Sequence, residues 1–362
     1  MTKRKKSLIC ILSIIPVSIA AMFTGAYLMF REQLAAMGTI KKLDDRLYCM
    51  TYEGDYGFDD FLKRGGADSD EKVGEYLTEF LSHGFYSIEP DTQEHGCSMV
   101  QVKNSEDGYL FGRNYDWQDC TIMIVKTKPK DGYASISTCN MDYLGFGEGY
   151  LPEGFMNQML ALASVYVPLD GMNEKGLCVA DLMIDVDDAT CQDTGKTNLT
   201  TTTAIRLLLD RAATVDEAVE LLRQYDMHSS AGIMHHLAIA DSNGRSVVAE
   251  YIDNQLTITE TPVVTNFFLT DGAKYGIGSE QSKARFSILT EWLAKNQNAN
   301  AAQMSDALRK VSQKNMGEEF EKTVWSIVYN QENGKICYCF RENFETDFNF
   351  AIGEYNGKIS SE

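Results

Sequence analysis

The sequence predicts an α+β domain, and three observations carry the prediction. Short β-rich runs fill residues 97 to 185, helical periodicity takes over from Thr202 to Leu222, and strands then return. A helix follows Ser282, and the chain closes on two more β-rich runs, Thr323–Tyr329 and Lys335–Phe340. The order strands, helices, strands, helices, strands suits sheets covered by helices better than a regular βαβ alternation. With 362 residues, 44% of them hydrophobic, the chain can fill a substantial core.

The elements follow in order. Lys3-Arg4-Lys5-Lys6 precedes an uncharged run from Leu8 to Phe30. At about 1.5 Å per residue, that run is long enough for a bilayer core of about 30 Å. The cations keep their end in the cytoplasm, so residues 1–30 predict a single-pass transmembrane helix with the rest of the chain outside the cytoplasm. A secreted protein is the alternative, because Ser18-Ile19-Ala20 offers a small-residue signal-peptide cleavage site. The run continues uncharged for ten residues past Ala20, which favours the anchor.

Residues 31–96 form a pre-nucleophile segment. Ser69-Asp70-Glu71 predicts a helix start, and Val73, Tyr76, Leu77, Phe80 and Leu81 fall at helical spacing before Gly84. The stripe is packing surface, so this segment folds against the domain of residues 97–362. That domain opens with a hairpin, Cys97-Ser98-Met99-Val100 to Arg113-Asn114-Tyr115-Asp116-Trp117, around the turn Asn104–Gly108. Strands are predicted at Thr121–Lys126, Tyr133–Cys139 and Leu177–Asp185. Gly171-Met172-Asn173-Glu174-Lys175-Gly176-Leu177 is a hairpin turn. Helices are predicted at Thr202–Ala213 and after Thr214, where Glu217 completes a capping-box spacing. A long meander is read from His236 to Thr265, and a helix from Ser282 to about Asn296.

Charge and cysteine usage exclude several functions. A net charge of −19 argues against a nucleic-acid partner, since phosphate binding needs clustered cations. The nine cysteines are scattered, with no paired Cys-x-x-Cys set, and the five histidines show no ligand spacing. A zinc site is not expected, although Cys337-Tyr338-Cys339 would place two thiols on one face of a strand. Neither metal nor cofactor is called for.

Cys97 carries the chemistry. If the Gly96–Cys97 bond were cut, Cys97 would gain a free α-amine with an ordinary pKa of about 7.7–8.0. Such an amine can serve as general base for its own thiol. Gly96 lacks a Cβ and tolerates the strained backbone that attack on its carbonyl requires. Arg113 and Asp116 return beside Cys97 on the second strand of the hairpin.

This segment resembles the opening of the choloylglycine hydrolase family, bile salt hydrolases and penicillin V acylases among the N-terminal nucleophile hydrolases. There the nucleophilic Cys is followed at sixteen residues by Arg and at nineteen by Asp, here Arg113 and Asp116 within Gly-Arg-Asn-Tyr-Asp-Trp. The resemblance extends from Cys97 to about Ile352 and implies a four-layer αββα sandwich. It also implies that Asn266, ending Val263-Val264-Thr265, points to the oxyanion, and that Arg285 sits at a helix start near the nucleophile. Many bile salt hydrolases carry an Asn where this chain has Met183, so oxyanion stabilisation would rest on Asn266 and the Met183 backbone N–H. The long stretch before Cys97 looks more like isopenicillin-N acyltransferases and acid-ceramidase-type amidases, which cut themselves before the Cys. The implied activity is hydrolysis of a small-molecule N-acyl amide (a bile salt, penicillin V or an N-acyl amino acid) through a thioester. Asp116 would hold the α-amine, and Arg113 and Arg285 would favour the thiolate. An acyltransferase using the same intermediate is the nearest alternative, and a membrane-tethered binding protein that never matures is another. Loops Gly145–Phe155 and Phe267–Ile277 would shape an apolar mouth, and an oligomer is compatible with the sequence.

Overall fold

The structure, a computed structural model, describes residue 24 and residues 27–82, 96–314 and 322–353. The apolar run Leu8–Phe30 lies almost wholly outside the described residues. Residues 27–37 form helix α1, and no helix among the described residues is long and apolar enough to cross a membrane.

Two sheets dominate. The first has nine strands in the order β1 (Lys41–Asp44), β2 (Leu47–Glu53), β5 (Ile122–Lys128), β6 (Ser135–Asn140), β7 (Asp170–Asn173), β8 (Cys178–Met183), β11 (His235–Ala240), β12 (Ser246–Ile252) and β13 (Gln255–Glu260). The second runs β14 (Val263–Thr265), β3 (Gly96–Asn104), β4 (Tyr109–Trp117), β16 (Lys322–Asn330), β17 (Lys335–Phe340) and β18 (Asn343–Ala351), with β15 (Asn298–Ala299) also on β3. A separate parallel pair joins β9 (Thr197–Thr200) to β10 (Tyr225–His228).

Strand periodicity sorts the side chains into layers. On β5, Ile122 and Ile124 enter the core between the sheets, while Met123 and Val125 enter the core under the helices. A strand buried on both faces reads as a continuous apolar run, as this one does. The outer face of the first sheet packs against α2 (Phe58–Lys63), α3 (Asp70–Ser82), α4 (Phe155–Ala161), α5 (Thr201–Arg211) and α6 (Val215–Leu222). On the second sheet, Val100, Val102, Leu110 and Val328 pack against Leu289 and Trp292 of α7 (Glu280–Lys295) and Met304 and Leu308 of α8 (Ala301–Lys310). The result is helix, sheet, sheet, helix.

The predicted helices form where their caps place them. Thr214 accepts from the Glu217 N–H at 3.2 Å, and the Glu217 carboxylate accepts from the Ala213 N–H at 2.7 Å. Ser279 caps α7 by accepting from the Ser282 N–H at 3.1 Å. Asn173 holds the β7–β8 turn, its Oδ1 accepting from the Lys175 and Leu177 N–H groups, with Gly176 at φ 78°.

Two features differ from the sequence reading. Residues 31–96 supply more than a packed helix: β2 is an internal strand, paired parallel to β5 from Leu47↔Ile122 to Glu53↔Lys128. The meander from His236 to Thr265 is also not one sheet. β11, β12 and β13 stay in the first, but after Pro262 the chain crosses and β14 pairs with β3, Thr265 opposite Ser98. Proline cannot donate to a ladder, which suits a strand boundary. That crossing delivers the next residue, Asn266, to Cys97.

Candidate active site

Cys97 lies near the start of β3, opposite Tyr115 of β4, with Gly96 opposite Asp116. Its side chain is buried. The Cys97 main-chain N–H donates to Asn266 Oδ1 at 2.7 Å. Arg285, one turn into α7, donates from Nη1 to the Cys97 carbonyl at 2.7 Å and to Asp116 Oδ2 at 3.0 Å, and from Nη2 to Asn266 Oδ1 at 2.9 Å. Two donors converging on one Asn266 atom fix that atom as the oxygen. The amide nitrogen then faces the Met183 carbonyl, to which it donates at 2.7 Å. Met183 thus touches the cluster through its main-chain carbonyl, an acceptor, whereas the sequence reading assigned its N–H. Arg113 places Nη2 3.6 Å from the Cys97 sulfur.

All five predicted side chains, Cys97, Arg113, Asp116, Asn266 and Arg285, therefore meet in one buried cluster. The Asp116 carboxylate accepts from Arg285, from Gln313 Nε2 at 3.1 Å and from Thr323 Oγ1 at 2.6 Å, while the Cys97 nitrogen is held by Asn266. In this uncut chain Asp116 therefore acts on Arg285 rather than directly on the nitrogen of Cys97.

Burial pushes the Cys97 thiol up to about 12, outweighing Arg113, which pulls it down. The uncut site thus holds a neutral thiol at physiological pH. Arg113 itself is fully buried and leans on an internal anion: its Nε lies 2.7 Å from Asp170 Oδ2. Asp170 also accepts from Trp325 Nε1 and Tyr329 OH, each at 2.9 Å.

Arg113 also donates to the main-chain carbonyl of Asp181, whose carboxylate lies 2.8 Å from His235 Nδ1. His235 Nε2 faces the Ser230 carbonyl at 3.0 Å. Burial opposes a charge on this ring, but the two acceptors outweigh it and raise the pKa. Gln313, Thr323, Asp170 and the Asp181–His235 pair were not found by sequence reasoning. Thr323 meets Asp116 only through the β16–β4 register, for which no local pattern exists.

A family model described as acyl-coenzyme A:6-aminopenicillanic acid acyl-transferase matches residues 103–345. The chain belongs to that family. Its fold is shared with solved N-terminal nucleophile hydrolases, as the resemblance to choloylglycine hydrolases implies. A conjugated bile acid hydrolase variant from Clostridium perfringens matches at 19% identity and TM-score 0.53, covering 74% of this chain and 96% of its own. A second variant of that enzyme gives 17% and 0.54 over the same shares. Penicillin V acylase from Agrobacterium tumefaciens matches at 18% and 0.51, over 71% of this chain and 86% of its own. No curated protein sequence gives a significant match.

Proposed function

We propose that this protein is a cysteine-nucleophile amidase that cuts itself at Gly96–Cys97 and then cleaves a small-molecule N-acyl amide. The observation carrying this reading is the single cluster around Cys97, in which Asn266 and Arg285 hold its main-chain nitrogen and carbonyl while Arg113 faces its sulfur. In the intact chain the Cys97 sulfur would attack the Gly96 carbonyl carbon, and the thiol proton would pass to the Cys97 nitrogen as leaving group. The C–N bond then breaks, leaving an ester on sulfur and a free Cys97 amine, and water hydrolyses that thioester. The new amine replaces a peptide N–H beside Asn266 and becomes the base for the next thiol deprotonation.

In turnover the thiolate attacks the substrate acyl carbon, the amine product leaves with a proton, and water hydrolyses the acyl-enzyme. The Asn266 amide N–H and the Met183 main-chain N–H would supply oxyanion stabilisation, a contribution typically worth about 10²–10³ per donor. A recess lined by Trp117, Tyr143 and Phe146 together with the polar Gln118, Asn140 and Asp142 is the proposed acyl seat; Tyr143 OH lies 3.3 Å from the OH of Tyr115, the residue opposite Cys97. Phe155 and Met156 at the start of α4, and Tyr275 and Ile277, are exposed large apolar side chains. The family description favours transfer of the acyl group to an amine as a second reading. We further propose that residues 1–30 direct the catalytic domain out of the cytoplasm as a membrane anchor.

Mass spectrometry of the purified protein tests the first step. A fragment beginning at Cys97 is expected in the wild type and absent in Cys97→Ala. An active preparation containing only intact chain would overturn the proposal. Assaying free acid against new amide, with and without an added amine acceptor, separates hydrolysis from transfer.

A further inference from the structure

A second cluster of reactive groups lies on β17 and β18, across the second sheet from Cys97. On β17, Ile336, Tyr338 and Phe340 enter the core between the sheets. Cys337 and Cys339 alternate with them and therefore face outward. The register with β18 then breaks. Tyr338 lies opposite Phe348 but Phe340 lies opposite Asn343, so residues 344 to 347 are set against Cys339 alone. Such an irregularity redirects side chains. Here it folds Asp347 over the two thiols. Cys339 Sγ donates to Asp347 Oδ1 at 3.3 Å, and the two sulfurs and a carboxylate oxygen all lie within 4.8 Å of one another.

We propose that Cys337, Cys339 and Asp347 bind a thiophilic divalent cation of the zinc type. Two thiolates and one carboxylate would be completed to a tetrahedron by water. Zinc takes sulfur at about 2.3 Å and carboxylate oxygen at about 2.0–2.2 Å. Those lengths set the sulfur–oxygen edge of a tetrahedron at about 3.5 Å and the sulfur–sulfur edge at about 3.8 Å. The cluster needs to contract by no more than about 1.3 Å to meet them. A disulfide fits less well. Side chains two apart on a strand stand about 6.6 Å apart, whereas a disulfide needs Cβ atoms about 3.8 Å apart.

The balance of the step is simple. Zn²⁺ replaces two thiol protons, which pass to solvent, and the site carries the same net charge with the metal as without it. Binding releases two thiol protons, so uptake strengthens as pH rises. Because β18 is the edge strand of its sheet and mostly exposed, the ion would clip that edge to its neighbour.

The test uses the full chain carrying Cys97→Ala, which removes the nucleophile thiol, freed of metal and titrated with Co²⁺ and then Zn²⁺. One equivalent of cobalt should bind with a thiolate charge-transfer band and tetrahedral d–d bands, and zinc should bleach both. Cys337→Ser should abolish the charge-transfer band. Loss of even an outer-shell partner costs about 10–100-fold in metal affinity, so Asp347→Asn should weaken binding by about tenfold or more. Cys337 is half-buried and Asp347 exposed, so both variants should fold, which circular dichroism checks. No charge-transfer band, or one unchanged in Cys337→Ser, would overturn the proposal.

Discussion

The Asp116–Arg285 pair makes a sharp quantitative prediction. Its partners lie 3.0 Å apart, with side chains 0% and 7% exposed. At an effective dielectric of 20, two unit charges about 4 Å apart attract by about 4 kcal/mol. Removing one partner of a buried pair leaves the other charge unmatched and typically costs about 3–5 kcal/mol. Asp116→Asn should lose that amount, because Arg285 then faces only neutral acceptors. Arg285→Met should lose a similar amount, through Asp116 and the bonds to Cys97 and Asn266. The double variant removes both charges together, so its loss should fall short of the sum by about 3 kcal/mol. Chemical denaturation in a Cys97→Ala background, where every chain stays intact, measures all four corners of the cycle. Losses that add to within about 0.5 kcal/mol would show that the two groups are not coupled and would refute the reasoning.

Three further outcomes follow from the structure. Burial raises the thiols of Cys97, Cys120, Cys139 and Cys178. The native chain therefore keeps protons that the unfolded chain releases above about pH 8.5, and stability should fall with rising pH, by about 1.4 kcal/mol per unit for each such thiol; equal denaturation midpoints at pH 8 and pH 10 would contradict this. His235 has a raised pKa, so its contribution should be complete below about pH 6.5 and fade as pH climbs through the raised value; the stability advantage of wild type over His235→Gln should shrink from pH 5.5 to pH 9. A Cβ on Gly66, at φ 66°, would lie 1.9 Å from the Asn198 carbonyl oxygen; Gly66→Ala should therefore loosen the segment before Cys97, read as faster proteolysis of residues 31–82.

Sequence patterns find what is local. The helices at Thr201–Arg211 and Val215–Leu222 follow from periodicity and caps, and Cys97, Arg113 and Asp116 are legible because one hairpin holds all three. Asn266 and Arg285 come only through the resemblance, since a lone Asn after a strand and a lone Arg in a helix carry no signal of their own. The parallel pairing of Leu47 with Ile122 spans a long separation, and parallel strands leave no turn between them to betray the match. Gln313 and Thr323 were missed for the same reason: their partner Asp116 is fixed by register across strands far apart in the chain. The expected thiolate at Cys97 also needed burial to be known, because desolvation there exceeds what Arg113 returns.

The place of β2 inside the nine-stranded sheet has a kinetic consequence. In the intact chain, residues 31–82 and the rest of the domain are tethered, so β2 finds β5 at a high effective concentration. A cut between Gly96 and Cys97 would remove the tether while leaving the β2–β5 pairing in place. The folded two-chain protein would keep its packing, yet its refolding after denaturation would become a second-order reaction that slows on dilution. Maturation would then leave a molecule that assembles once, while it is still one chain, and that persists afterwards by the slowness of its unfolding.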